Sequence, residues 1–559
     1  WRDLSGPKVD RRTLLRILGA TGFTYLAACA PGAAPTSQTP APSGAKPDAA
    51  TAKPGPTTAE AARPTAEAKP AAGTPKRGGT LVAGWNQSDL ATLDPAFINL
   101  GEQMEAACNI CTGLVRITPN VDVEGDLAES WEVSKDGKEY VFFLRKGVTF
   151  HNGDKFTARD VKASLDRILD KDLGSPHRSK IADVLEAAEV VDDTTFRVRL
   201  RQPFSPFLAA VATGFPGRSM TVISLRAYQE MGKDRFGQTP VGTGPFKVAK
   251  HQPAQELVLE RHPDYYESGQ PYLDRVVIKF IKEPQALAAA LQAGDVDLVN
   301  HPPETHLEQL RRDPNIVISS VSGTNWFGLQ MNYKRKPLDD PKVRMALAKA
   351  IDREELVQKG YFGDAVAATG VLNPAVKWAY RAEKPNFPQR YDPEAAKKLL
   401  SEAGVTSLEV VAPLQAYEQR WHEVLRDQLS RVGVRLKLEI VDTAIWRKRW
   451  VEGDYDVLFN GSVTDPDPDE SIWNFFYSQG PWNGFGYKSE KADALLKAQR
   501  LELDKEKRAK ILWELEDLLT AEAVVGWGIH RKDTTAFRKN VQGWVHVPEL
   551  RFFKNVWLA

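Results

Sequence analysis

Apolar positions along this chain recur with a helical period in some stretches and a period of 2 in others, and the two kinds interleave. Leu81, Val82 and Ala83, preceded by Gly78 and Gly79, predict a strand, and helix signals follow over 101–115. ESWEVSKDGKEYVFFLRKG predicts two strands around an Asp136-Gly137 turn, a pair suited to a tight hairpin. In FTARDVKASLDRIL, Thr157 and Asp160 are spaced as a capping box ahead of an amphipathic helix. VVDDTTFRVRL predicts another hairpin, with Phe196, Val198 and Leu200 on one face. Strands return from VGTGPFKVAK through ELVLERHP and RVVIKFI.

PQALAAALQAGDVDLV predicts a helix closed by Gly294 and then a strand. Asp340 and Pro341 are placed as N-cap and first residue of a helix whose inner face carries Val343, Leu347, Ala350 and Ile351. DPEAAKKLLSEAG and SEKADALLKAQRLEL predict further amphipathic helices. The chain has no internal repeat. Its alternation of elements predicts an α/β fold with mixed sheets.

The length, 559 residues, is enough for two or three domains. With 74 Lys and Arg against 73 Asp and Glu, the net charge is +1, which gives no electrostatic reason to expect a nucleic-acid partner. No stretch reaches the ~18 apolar residues that a membrane span needs. The segment DRRTLLRILGATGFTYLAACA pairs Arg11 and Arg12 with a short apolar run from Ile17 to Ala28, the proportions of an export signal. It resembles a twin-arginine signal, and Leu26-Ala27-Ala28-Cys29 resembles a lipobox, which would make Cys29 the lipidated residue. Residues 30–77 hold ten prolines and no Leu, Ile, Val, Met or aromatic residue. Such a stretch cannot bury enough surface to offset its ordering entropy, so a tether is expected.

Candidate chemistry is sparse. No nucleophile elbow, phosphate loop or dinucleotide fingerprint is present. His422-Glu423 begins like a zinc-protease motif, but Arg426 stands in place of the second histidine. His301 and His306, five apart with prolines between, read as a surface loop before they read as a metal site. Cys108 and Cys111 lack the second pair that structural zinc requires. Small apolar neighbours favour buried thiols, with a disulfide as the alternative.

The stretch NGSVTDPDPDESIWNFF sets Asp465, Asp467 and Asp469 at alternate positions, as a calcium loop does. Glu470 and Phe476 then stand where that loop needs Gly and Glu, which excludes it. A pair of hydrolytic carboxylates and a plain turn braced by Pro466 and Pro468 remain open.

Residues 125–168, GDLAESWEVSKDGKEYVFFLRKGVTFHNGDKFTARDVKASLDRI, resemble the signature region of the family 5 extracytoplasmic solute-binding proteins. These are the dipeptide and oligopeptide receptors of ABC importers. LDPA, PVGTGPFKV, LERHPDYY, LQAGDVDL, PLDDPKVRMALAKAIDREELV and YDPEAAKKLLSEAG follow in the family's order, so the resemblance runs from about Arg77 to the C-terminus.

The resemblance implies an α/β, periplasmic-binding-protein-like two-lobed fold (type II, cluster C) with mixed sheets and an extra domain. Its expected divisions are a signal peptide over 1–29, a tether over 30–76 and a solute-binding domain over 77–559. Within that domain, lobe I would take 77–112, 238–324 and 526–559, the extra domain 113–237 and lobe II 325–525, with a hinge at 323–332. Asp465 is the best match to the aspartate that pairs with a peptide's ammonium, and Thr464 lands near that place if the loop is aligned without a gap. Trp85, Asn86, Asn325, Trp326, Asp467, Trp482 and Asn483 complete the expected ligand contacts. The implied partners are a short peptide or another polar small solute and an ABC permease. The expected state is a lipid-anchored, extracytoplasmic monomer without cofactor or catalysis. An oligosaccharide receptor on the same scaffold and a secreted carboxylate-dependent hydrolase are the alternatives.

Overall fold

The computed structural model describes residues 73–559 apart from 87–89, 99–100, 213–219 and 464–465. Cys29, the signal-like segment and the tether up to residue 72 lie outside the described residues, as do Thr464 and Asp465.

Local signals become elements where they were expected. Thr157 and Asp160 close their capping box, with Thr157 N donating to Asp160 Oδ2 at 2.8 Å, and the helix Ala158–Leu169 buries Val161, Leu165 and Ile168. Asp340 accepts from Lys342 N at 2.7 Å and opens the helix Pro341–Lys349. A cap of this kind stabilises a helix by about 1 kcal/mol. Gly294, at φ 87°, ends the helix Pro284–Ala293 in the left-handed conformation that glycine adopts without a Cβ clash. The two hairpins join into one antiparallel sheet in the order Ala128–Val133, Glu139–Leu144, Thr195–Leu200, Leu185–Asp192. Phe142, Phe196, Val198 and Leu200 line its core.

The helix expected over 101–115 ends early, at Ala107. Asn109 explains the stop. Its Nδ2 donates to Glu105 O at 2.9 Å and to Arg551 O at 2.6 Å, while its Oδ1 accepts from Phe553 N at 2.9 Å. The C-terminal segment thus docks where another helical turn would lie. Cys108 and Cys111 are both buried, and neither is disulfide-bonded.

One ten-stranded mixed sheet organises the rest. Its path runs Val457–Val463, Asn325–Met331, Val525–Arg538, Leu298–Asn300, Thr80–Trp85, Arg275–Phe280, Glu256–Arg261, Phe246–Gln252. Thr80–Trp85 is parallel to both of its neighbours, and the remaining path pairings are antiparallel. The strand Val525–Arg538 changes partners along its length. Residues 525–531 pair with Asn325–Met331 and Ala365–Ala367, whereas 532–538 pair with Ile316–Ser322 and Leu298–Asn300.

The cores follow this division. Val525, Trp527 and Ile529 are buried with residues that, apart from Val121, lie between 326 and 524, among them Leu329, Leu347, Trp326 and Phe476. Ala536 and Phe537 are buried with residues such as Leu81, Ile278, Leu298 and Leu287. Burying one such side chain contributes roughly 1.5–3 kcal/mol, so each half is anchored to its own end of the strand. Between the two ends stands a charged stretch, Arg531, Lys532 and Asp533.

Candidate functional site

The joint is built by Asn325 and Gly323 against Arg531. Asn325 Oδ1 accepts from Arg531 N at 2.7 Å, and Asn325 Nδ2 donates to Arg531 O at 3.0 Å. Gly323 N donates to the same carbonyl at 3.1 Å. A Cβ on Gly323 would stand 2.8 Å from Arg531 O and 2.7 Å from Glu549 Oε1, so only glycine leaves room for this approach. His530 Nδ1 lies 2.7 Å from Asn325 O. The amide of Asn325 therefore replaces the ladder at the point where the strand pairing changes.

A charged cluster surrounds the joint. Asp533 receives both terminal nitrogens of Arg551, Nη1 at 2.9 Å, and accepts from Glu549 N at 2.6 Å. Arg551 Nε donates to Asn300 Oδ1, and Asn300 Nδ2 donates to Glu105. His301 completes the ring, with Nε2 3.1 Å from Glu105 Oε1 and Nδ1 3.8 Å from Asp533 Oδ1.

The pairing tunes these groups. Burial works against charge on Asp533, yet Arg551 and His546 hold it well below the usual carboxylate range. Burial also opposes charge on His301, but Glu105 outweighs it and lifts the ring to about 9. Burial and the neighbouring Asp533 push Glu549 up to about 7. Burial and Glu105 raise Glu102, and burial alone pushes Glu418 up to about 7.

Arg531 differs from its neighbours. Its half-buried guanidinium lies over the Phe327 ring, 4.5 Å from the centroid. The guanidinium itself makes no hydrogen bond or ion pair with any described residue. Its charge is felt by Glu102 and Glu549 from one half and by Tyr361, Tyr417 and Glu418 from the other. The Tyr417 side chain is largely open to solvent, at 66% exposure.

The expected ligand contacts are scattered relative to this joint. Asn325 is at it, with its amide committed to the backbone. Trp326 is fully buried. Its Nε1 donates to Ser471 Oγ at 2.7 Å, and its ring packs on Phe475, Phe476 and Trp527. Its place is core. Asp467 is also interior, forming a two-pronged pair with Arg508 at 2.5 and 2.6 Å and accepting from Asp469 N at 2.9 Å. Its neighbour Asp469 is 3% exposed and binds Arg500 at 2.7 and 2.9 Å as well as Gln499, so the solvated-turn reading does not hold for these two carboxylates. Asn483 donates to Tyr477 O at 3.1 Å and Tyr487 O at 2.7 Å, which shapes its own loop. Trp482 is half-buried among Trp450 and Phe475. Trp85 ends its strand 1% exposed, with Nε1 bonded to no described residue, and Asn86 beside it is exposed.

The other candidate chemistry resolves plainly. His422 is buried, with Nδ1 2.8 Å from Glu418 O. Among the described residues no cluster of His, Cys, Asp and Glu is arranged to hold a metal ion, and no helix is long and apolar enough to cross a membrane. The residues that sequence reasoning missed are Glu105, Arg531, Asp533, Glu549 and Arg551. One signal for them was present: His530-Arg531-Lys532-Asp533 interrupts an otherwise apolar run, VVGWGIHRKDTTAF.

Comparison with known proteins agrees with this architecture. Residues 122–484 match the model of the bacterial extracellular solute-binding proteins, family 5 (middle part). The heme-binding protein A of Haemophilus influenzae is 30% identical over 462 residues, covering 77% of this chain and 83% of that one. The glutathione-binding protein of Escherichia coli K12 is 29% identical over 481 residues, covering 83% and 92%. Among solved structures, the ABC transporter-associated periplasmic binding protein DppA from Helicobacter pylori, in complex with the peptide STSA, superposes with a TM-score of 0.75 at 28% identity. That match covers 86% of this chain and 98% of the other.

The chain belongs to the family 5 extracellular solute-binding proteins. It has their periplasmic-binding-protein fold, α/β with mixed sheets, and is an extracytoplasmic binding protein of the ABC-transporter type, not an enzyme.

Proposed function

We propose that the protein captures short peptides between two lobes and hands them to an ABC permease. Lobe I would comprise 77–112, 238–324 and the chain from 532 onward, lobe II 325–531, and the extra domain 113–237; the crossing expected at 526 is moved to 531–533 because residues 525–531 pair and pack with the second half. The observation that carries this reading is the shared strand Val525–Arg538, which is buried in a separate core at each end and polar where the halves meet. Rigid bodies joined by so few crossings can close on a ligand by small backbone rotations at 323–325 and 531–533. Relatives named for dipeptide and glutathione binding, and the STSA complex, favour a peptide over a sugar. Asp465 is assigned the ligand's ammonium, and Thr464, Asn86, Trp85 and Trp482 are kept as further proposed ligand contacts. Lipidated Cys29 would hold the protein at the membrane through the 30–76 tether.

Calorimetry with tripeptides and their N-acetylated forms tests the reading. The free-ammonium peptide should bind one to one, and Asp465→Asn should weaken it by roughly 30-fold or more while leaving the acetylated form nearly unchanged. Saturable binding of an uncharged oligosaccharide, with no binding of peptides, would replace this reading with that of a sugar receptor.

A further inference from the structure

We propose that Arg531 is the receptor for a carboxylate of the bound solute, so that the protein selects ligands carrying an anionic group at the joint between its lobes. This rests on the binding reading above and names what one end of the ligand must be.

An arginine held half-buried ordinarily finds a carboxylate or carbonyl, because its five N–H donors are costly to leave unmatched. The neighbouring arginine, Arg551, shows the usual outcome, with Asp533 and Asn300 taking its donors. Among the described residues, the Arg531 guanidinium has only the face of Phe327, which leaves the edge of its fork available. The backbone beneath it is fixed on both sides by the Asn325 amide, so the guanidinium is presented from a rigid point. That presentation suits two-pronged recognition of a planar carboxylate.

Among the described residues, the acidic groups near the joint are engaged elsewhere or stand out of contact with this cation. Asp533 belongs to Arg551, and Glu105 is engaged by His301 and Asn300. Glu304 lies 3.4 Å from Arg420. Glu102, Glu418 and Glu549 remain, none in contact with Arg531, and burial shifts all three toward their neutral forms. The exposed Tyr417 adds a hydroxyl on the opposite half. Arg531 also stands where lobe closure would bring a ligand against the shared strand, within electrostatic reach of both halves.

The test uses the full-length protein and its Arg531→Gln and Arg531→Lys variants, with a tripeptide pool offered as free acids and as C-terminal amides. The parent should prefer the acids by about 30-fold or more. Arg531→Gln should bind acids and amides alike, and Arg531→Lys should recover part of the preference. A merely structural arginine would lower affinity for both forms equally, and that result overturns the proposal, as does a parent indifferent to amidation. Amidated peptides with a glutamate side chain separate the chain end from any carboxylate, since rescue by glutamate assigns the site to carboxylates in general.

Mass spectrometry of solute carried through purification keeps the two readings distinct. A non-peptide carboxylate retained by the parent and lost from Arg531→Gln would uphold Arg531 and refute peptides. An uncharged solute would refute Arg531. A parent that carries nothing and binds neither pool overturns both.

Discussion

Asn325 holds Arg531 by both of its backbone polar groups, at 2.7 and 3.0 Å, although the two residues are 206 positions apart. This side-chain amide does the work of a strand neighbour where the long strand leaves one half of the sheet for the other. Asn325→Ala would take the side-chain acceptor from Arg531 N–H and leave Arg531 C=O with Gly323 N. A loss of about 1–3 kcal/mol is expected, read as a lower denaturant midpoint with an unchanged slope. An unchanged midpoint would mean that the joint is not held by this amide.

The Asp467–Arg508 and Asp469–Arg500 pairs connect the aspartate loop to helices that follow it. Breaking a buried pair leaves an uncompensated charge, so Asp467→Ala should destabilise the protein by about 3–5 kcal/mol. Asp469→Ala should follow at a smaller cost, because Arg500 retains partial solvent access, 21% of its side chain. In both variants the ratio of affinities for free and N-acetylated peptide should stay as in the parent. A selective loss of that ratio in Asp467→Ala would move the ammonium site from Asp465 to Asp467.

Two groups at the joint predict opposite-end pH effects of the same sign. Glu549 is raised from 4.5 to about 7, so the folded state binds its proton more tightly than the unfolded chain. Its contribution is present below pH 4.5 and is lost as pH rises to about 7. His301, raised from 6.5 to about 9, contributes below pH 6.5 and loses that contribution by about pH 9. Buried neutral histidines such as His422 and His530, lowered to about 4, work in the other direction, so the informative quantity is a difference between proteins. Measured across pH 4 to 10 (about the span these groups cover), Glu549→Gln should gain stability relative to the parent between 4.5 and 7. His301→Gln should do so between 6.5 and 9. A difference independent of pH would remove these two groups from the account.

Burial pushes the thiols of Cys108 and Cys111 far above their ordinary range. A thiol kept protonated is a poor nucleophile. In a Cys29→Ser background, Ellman's reagent should therefore find no reactive thiol in the native protein and both after unfolding. The same variant should leave the membrane fraction. Rapid native reaction would show that the region around Asn109 opens, and persistent membrane association would remove Cys29 as the anchor.

The sequence made local structure legible because its determinants are local. The Thr157–Asp160 box, the Asp340 cap, Gly294 and the Asp136-Gly137 turn each involve residues a few positions apart, and each forms as its spacing predicts. The joint was not legible, because Asn325, Arg531 and Glu549 meet only through strand pairing across some 200 residues. The aspartate loop misled for the same reason. Its alternating prolines suggest a solvated turn, whereas its charge partners, Arg500 and Arg508, lie 31 and 41 residues further on. Trp326 carries no mark that separates a core indole from a ligand-facing one until Ser471, Phe475 and Phe476 are seen around it.

On the proposed function the chain binds a peptide whole and does nothing further to it. Native mass spectrometry of the protein with a random tri- to pentapeptide pool tests that most directly. One intact peptide per protein is expected, displaced by excess of the same pool and recovered uncleaved. A spectrum with no adduct, or recovery of shortened peptides, would contradict it.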